Sequence, residues 1–128
     1  MDANAIAGCR VLIVEDEALI ALDLQQAVED AGGTVVGPCL HLDRALRAVR
    51  HDGIDAAILD IDIAGHSVFP VADHLAGQHV PMVFHTARND AAPLIARFQG
   101  VVLMTKPSSS DRVVEVVARS LPQKVAAK

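Results

Sequence analysis

Two acids stand inside an otherwise apolar run, Ala57-Ile58-Leu59-Asp60-Ile61-Asp62-Ile63-Ala64-Gly65, and they pose the chemical question of the chain. A carboxylate in such a run is costly unless a cation pairs with it or a metal takes it as a ligand. Candidate partners stand at the ends of other apolar runs. Glu15-Asp16-Glu17 follow Arg10-Val11-Leu12-Ile13-Val14, Thr86 closes Met82-Val83-Phe84-His85, and Lys106-Pro107 follow Val101 to Thr105. Acids brought this close repel one another, and a hard divalent cation such as Mg²⁺ relieves the repulsion. Mg²⁺ also keeps positions for water and phosphate oxygens, which suits the set to phosphoryl transfer. Asp60 would be the nucleophile, forming an acyl phosphate. Glu15, Asp16, Asp60 and the main-chain carbonyl of Asp62 would hold or orient the metal. Lys106 and Thr86 would each grip an oxygen of the transferred group, one as a point charge and one as a hydroxyl donor.

The elements that must position these residues follow from hydrophobic patterning. Strands are expected at Arg10–Val14, Thr34–Gly37 (closed by Pro38), Ala56–Ile61, Met82–Thr86 and Val101–Thr105. Between them lie helices near Ala18–Ala31, Leu42–His51 and Val68–Ala76, and a short one within 87–100 with Pro93 in its first turn. Asp52-Gly53 ends the second helix and Gly77-Gln78-His79 is a turn. A last helix, Asp111–Ser120, takes an N-cap from Ser108-Ser109-Ser110, and the segment 123–128 reads as a frayed tail. The β runs are continuously apolar, as in strands covered on both faces. The expected fold is α/β, a doubly wound five-stranded parallel sheet in flavodoxin-like order 2-1-3-4-5 with helices on both faces. In such sheets the ligand site lies beyond the carboxyl ends of the strands, where the acids, Thr86 and Lys106 fall.

At 128 residues the chain is expected to form a single domain, with a core about 10–121. Hydrophobic residues make up 52% but aromatics only 2%, so Val, Ile, Leu and Ala must build the core. A net charge of −5 with mixed signs argues against nucleic acid or an anionic membrane as partner. No apolar run approaches the ~20 residues of a membrane span, and Met1 to Gly8 lacks the basic start of a secretory signal, so a cytoplasmic location is expected. Cys9 and Cys39 fall at opposite ends of neighbouring strands, too far apart for a disulfide.

The set Glu15-Asp16, Asp60, Thr86 and Lys106-Pro107, in this order at successive strand ends, resembles the receiver domain of two-component response regulators. The resemblance runs from about Arg10 to Leu121. The stretch Ser67-Val68-Phe69-Pro70-Val71-Ala72-Asp73 is similar to that of a subgroup of small stand-alone receivers with a reduced fourth helix. The resemblance implies that Asp60 accepts a phosphoryl group from a phosphohistidine on a sensor kinase or phosphotransfer protein, with Mg²⁺. The domain would be a switch rather than an enzyme, acting on a downstream protein, and a homodimer is within the family's range. In the family an aromatic on the fifth strand follows the threonine inward. Leu103 holds that position here, and the chain has no Tyr or Trp. Coupling would therefore use Leu103 packing or the short fourth helix.

Arg88 and Asp62, each two residues beyond a site residue, would face one another across the mouth of the site. Such a pair would screen the phosphoryl group from water and prolong its lifetime. The six histidines show no metal spacing. His74 and His79 are expected in solvent, and His85 as a packed, hydrogen-bonded residue. The competing function is a Mg²⁺-dependent phosphohydrolase of haloacid-dehalogenase type, since Asp60-Ile61-Asp62 matches its DxD. Against it, that motif belongs on a first strand and the chain leaves no room for a cap domain. A flavin- or nucleotide-binding module is disfavoured because no glycine-rich loop follows the first strand.

Overall fold

The computed structural model describes residues 3–51 and 53–122. Asp52 and the expected tail 123–128 lie outside them. The elements in chain order are β1 (Arg10–Val14), α1 (Ala18–Asp30), β2 (Thr34–Cys39), α2 (Leu42–His51), β3 (Ala56–Leu59), β4 (Asp62–Ile63), β5 (His66–Ser67), α3 (Phe69–Gly77), β6 (Met82–Thr86), α4 (Ala91–Ile95), β7 (Val102–Thr105) and α5 (Ser110–Ser120). The large sheet is parallel in the order β2-β1-β3-β6-β7, which is 2-1-3-4-5 when only its own strands are counted. None of the described helices is long and apolar enough to cross a membrane.

Two apolar layers cover the sheet, as the unbroken β runs require. On one face Leu12, Val14, Leu59 and Phe84 pack with residues of α2, α3 and α4. On the other, Val11, Ile13, Ile58 and Val83 pack with Leu24 and Val28 of α1 and Val113, Val114 and Val117 of α5. All three phenylalanines meet in the first layer, with Phe84 and Phe98 at 5.8 Å and Phe69 and Phe98 at 5.9 Å between ring centres. Arg97 stacks 4.3 Å above Phe98 and pairs with Asp73 of α3, so α4, only five residues long, is tied to α3 at its far end. Pro93 sits in the first turn of α4, as expected. Ser109 caps α5, its Oγ accepting from the Arg112 amide at 3.2 Å.

The structure departs from the sequence reading at strand ends. β2 does not stop at Gly37 but continues through Pro38 to Cys39. A register shift allows this, with Leu12 opposite Val36 and Val14 opposite Cys39. Gly37 has φ +100°, and a Cβ there would lie 2.6 Å from the Cys39 amide nitrogen, so only glycine fits. β3 ends at Leu59, two residues short of expectation, because Asp62–Ile63 turns away to pair antiparallel with His66–Ser67. Ala64 and Gly65, at φ 50° and 86°, form the turn of this unforeseen hairpin, the geometry that suits tight two-residue connections. α3 begins at Phe69 and β7 at Val102, each one residue later than read. Cys9 and Cys39 are buried and not disulfide-bonded.

Candidate functional site

Each central residue of the site is the first beyond a strand and is held by one more ladder-like backbone bond. The Glu15 amide donates to the Cys39 carbonyl at 3.0 Å, a contact that exists because β2 runs on to Cys39. The Asp60 amide donates to the Val14 carbonyl at 3.0 Å, and the Lys106 amide to the Thr86 carbonyl at 2.8 Å. Side chains from three strand ends therefore meet at one edge with their backbones fixed.

Lys106 is the hub. Its Nζ lies 2.8 Å from Asp60 Oδ2, 2.9 Å from Glu15 Oε1 and 2.8 Å from Glu17 Oε2. Burial works against the ammonium, but the bonds to Asp60, Glu17 and Glu15 outweigh it and hold its pKa well above the ordinary lysine value. For Glu15 the balance is reversed. Burial pushes its carboxyl above the usual carboxylate range, and the bonds from Lys106 and the Glu17 amide offset only part of that. Asp60 is buried, its Oδ1 accepting from the Ile61 amide at 2.7 Å.

One oxygen each from Glu15, Asp16 and Asp60 lie within 4.8 Å of one another, a group fit for a metal ion. All the donors are hard carboxylate oxygens, the set that suits Mg²⁺ rather than a softer metal. Asp16 is tied to the hairpin, its Oδ2 accepting from the Ala64 amide at 2.8 Å. The unforeseen turn thus orients one of the expected metal-holding acids. None of Glu15, Asp16 and Glu17 supplies a first-turn charge to α1, and Glu17, its N-cap, makes no side-chain cap bond among the described residues.

Thr86 is buried, and its Oγ1 accepts from the Arg88 amide at 3.3 Å. The Arg88 guanidinium reaches Asp62 Oδ1 at 3.1 Å, joining the two residues that the sequence placed across the mouth of the site. It also makes a two-pronged pair with Asp90, at 2.8 Å for both contacts. Through this pair the Arg88 guanidinium is held above its ordinary pKa and the Asp90 carboxyl below its own. Asp90 is the N-cap residue of α4, so the mouth of the site is tied to that helix. Leu103 lies opposite Phe84, half-buried against the first apolar layer and not in the site.

Two residues of the site were not read from the sequence. Glu17 was legible only as the third acid of a run. Asp90 carried no signal beyond its position after Arg88. His85 needs a correction. It is packed as expected, but neither ring nitrogen has a hydrogen-bond partner among the described residues. The ring is buried on β6 opposite Met104 of β7, and burial, aided by the Lys106 charge and opposed by those of Asp60 and Glu17, lowers its pKa. His74 and His79 are exposed, as expected.

Comparison with known proteins follows the same lines. The family model described as the response regulator receiver domain matches residues 11–118. The phyllosphere-induced regulator PhyR of Methylorubrum extorquens is 32% identical over 114 residues, covering 87% of this chain and 43% of that protein. The solution structure of SdrG from Sphingomonas melonis Fr1 superposes with a TM-score of 0.75 at 37% identity, covering 94% of this chain and 98% of SdrG. A variant of the anti-anti-sigma factor PhyR from Bartonella quintana superposes with a TM-score of 0.73 at 27% identity, covering 92% of this chain and 50% of that one. The chain spans about half the length of the curated relatives it matches. The haloacid-dehalogenase alternative finds no support in these comparisons.

Proposed function

The chain belongs to the response regulator receiver family, and from that premise we propose that Asp60 is its phosphoryl acceptor, charged from a phosphohistidine of a sensor kinase or phosphotransfer protein. A carboxylate oxygen of Asp60 attacks phosphorus, the P–O bond forms, the P–N bond breaks, and the imidazole leaves. Glu15, Asp16 and Asp60, with the main-chain carbonyl of Asp62, would hold Mg²⁺. When bound, that ion supplies the positive charge that lets these acids and a phosphoryl group share one edge. Lys106 takes one oxygen of the transferred group with its ammonium. Thr86 Oγ1 already accepts a bond, so its hydroxyl proton is available to donate to another. Arg88, held over the mouth by Asp62 and Asp90, restricts the approach of water.

The observation that carries this reading is the contact of Lys106 Nζ with Asp60 Oδ2 at 2.8 Å, beside an oxygen cluster of the right kind for a hard cation. Asp62, which the hydrolase reading needs as a general acid, is exposed and engaged with Arg88. Regulation rather than turnover is therefore the output, by contact with another protein in the cytoplasm. The relative described as an anti-anti-sigma factor makes a sigma-factor control network the first place to look for that protein.

The test is intact-mass analysis after incubation with a small phosphoryl donor and Mg²⁺. One phosphoryl group should appear on the unaltered chain and none on Asp60→Asn. Repeated turnover of the donor, or label that persists in Asp60→Asn, would refute the assignment.

A further inference from the structure

Lys106 has three N–H donors, and three carboxylates take them. A lysine in that condition cannot grip a phosphoryl oxygen without releasing one partner. The three are not equal. The side chains of Glu15 and Asp60 are 2% and 10% exposed, so water cannot take the place of the ammonium at either of them. The side chain of Glu17 is 60% exposed, and water can take over its hydrogen bonds at once. Glu17 is also diverted from the task its position suggests. It is the N-cap of α1, where a short polar side chain ordinarily accepts from a helix amide, yet its side chain goes to Lys106 instead.

We infer that Glu17 is a positioning residue, the exchangeable partner of Lys106. It holds the ammonium over Asp60 in the resting site and gives up its place to an oxygen of the arriving phosphoryl group. This rests on Asp60 being the acceptor. Glu17 therefore competes with the phosphoryl group for Lys106, and weakening Glu17 strengthens the grip on that group.

Two substitutions separate contact from charge. Glu17→Gln removes the charge. Glu17→Asp keeps it but shortens the reach and restores a good cap residue, which turns back to the helix amides. The first readout needs neither metal nor phosphoryl group: the rate at which the Lys106 amine is acetylated, followed by peptide mass. Both variants should react faster than the unaltered chain. The second is the affinity for beryllofluoride, a mimic of the phosphoryl group, in the presence of Mg²⁺. Both variants should bind it roughly two- to fivefold more tightly, the range for releasing one exposed ion pair. Melting temperature should be unchanged in Glu17→Gln and unchanged or higher in Glu17→Asp.

A Glu17→Asp protein that matches the unaltered chain in both readouts would overturn the inference, leaving only the field of one more negative charge. Unchanged lysine reactivity in both variants would overturn the holding role by itself. If beryllofluoride and phosphoryl donors fail to modify Asp60 in the unaltered chain, the proposed function falls. The acetylation readout would still report whether Glu17 holds the lysine.

Discussion

Replacing Lys106 with methionine should destabilise the metal-free protein, and by an amount that grows as the pH rises. The side chain is 10% exposed and answers two buried carboxylates, Glu15 at 2.9 Å and Asp60 at 2.8 Å. Removing one partner of a buried pair costs about 3–5 kcal/mol, because the other charge stays buried and unanswered. Here the lower end applies, since Glu17 turns freely to water and Glu15 can take up a proton. A loss of about 3 kcal/mol corresponds to a fall of roughly 10 °C in melting temperature for a chain of this size.

The pH dependence follows from Glu15. Burial raises its carboxyl above the unfolded value even with Lys106 present, and without Lys106 the bond that opposes burial is gone. Between the unfolded and the raised folded value the native state binds the extra proton, so stability is higher at acid pH and is lost as pH rises through the window. The deficit of Lys106→Met against the unaltered chain should therefore be larger near about pH 8 than near about pH 5. Mg²⁺ held by the remaining acids should substitute for the missing cation. At a hundredfold excess over its dissociation constant it would restore about 2.7 kcal/mol, most of the deficit. With no Trp or Tyr to report unfolding, far-ultraviolet circular dichroism or calorimetry is the assay. A Lys106→Met protein as stable as the unaltered chain at the higher pH without divalent ions would refute this account of the site. So would a deficit that widens on acidification.

Two further changes probe the edges of the site. Arg88→Ala opens the mouth that Arg88 shares with Asp62 and Asp90, so label on Asp60 should be lost roughly two- to fivefold faster, measured by mass over time. Loss at the unaltered rate would remove the screening role. His85→Leu replaces a buried ring with two unpartnered nitrogens by an apolar side chain, and should raise stability by about 1–2 kcal/mol, seen as a melting temperature higher by roughly 5 °C.

The sheet was legible because strands buried on both faces carry unbroken apolar runs, and those runs ended where the chemistry began. Glu15, Asp60, Thr86 and Lys106 could be placed together from topology alone, since a parallel doubly wound sheet sends all its strand ends to one edge. What stayed hidden depended on local backbone geometry. An Ala-Gly turn lacks the usual Asn-Gly signature, so the hairpin of β4 and β5 and its bond to Asp16 gave no sign. Gly37-Pro38 read as the end of a strand, because proline lacks a ladder donor, whereas the register shift carries the strand past it. Glu17 was visible as an acid but not as a ligand of Lys106, a contact between residues 89 positions apart. His85 misled because its type predicts partners that its face of the sheet does not supply.

The charges at the site dictate an order of events. Four carboxylates, those of Glu15, Asp16, Glu17 and Asp60, stand with one ammonium, leaving a net charge of −3 that a divalent ion reduces to −1. In the proposed reaction, phosphorylation of Asp60 would replace a singly charged carboxylate with a phosphoryl group carrying nearly twice that charge. Without a divalent ion, that step would add negative charge to an edge already strongly negative, against a repulsion that the partly buried setting screens poorly. The proton that burial favours on Glu15 can relieve some of this, but a protonated Glu15 offers Lys106 only a neutral carbonyl oxygen and so weakens its hold on the ammonium. Cation and proton are thus alternative answers to the same crowding, and only the cation leaves Glu15 ionised and able to hold both the metal and Lys106. Half-maximal labelling should therefore need more Mg²⁺ at acid than at neutral pH, because at acid pH the ion must first displace the proton that burial favours on Glu15, and a half-maximal concentration that does not change with pH would refute this order.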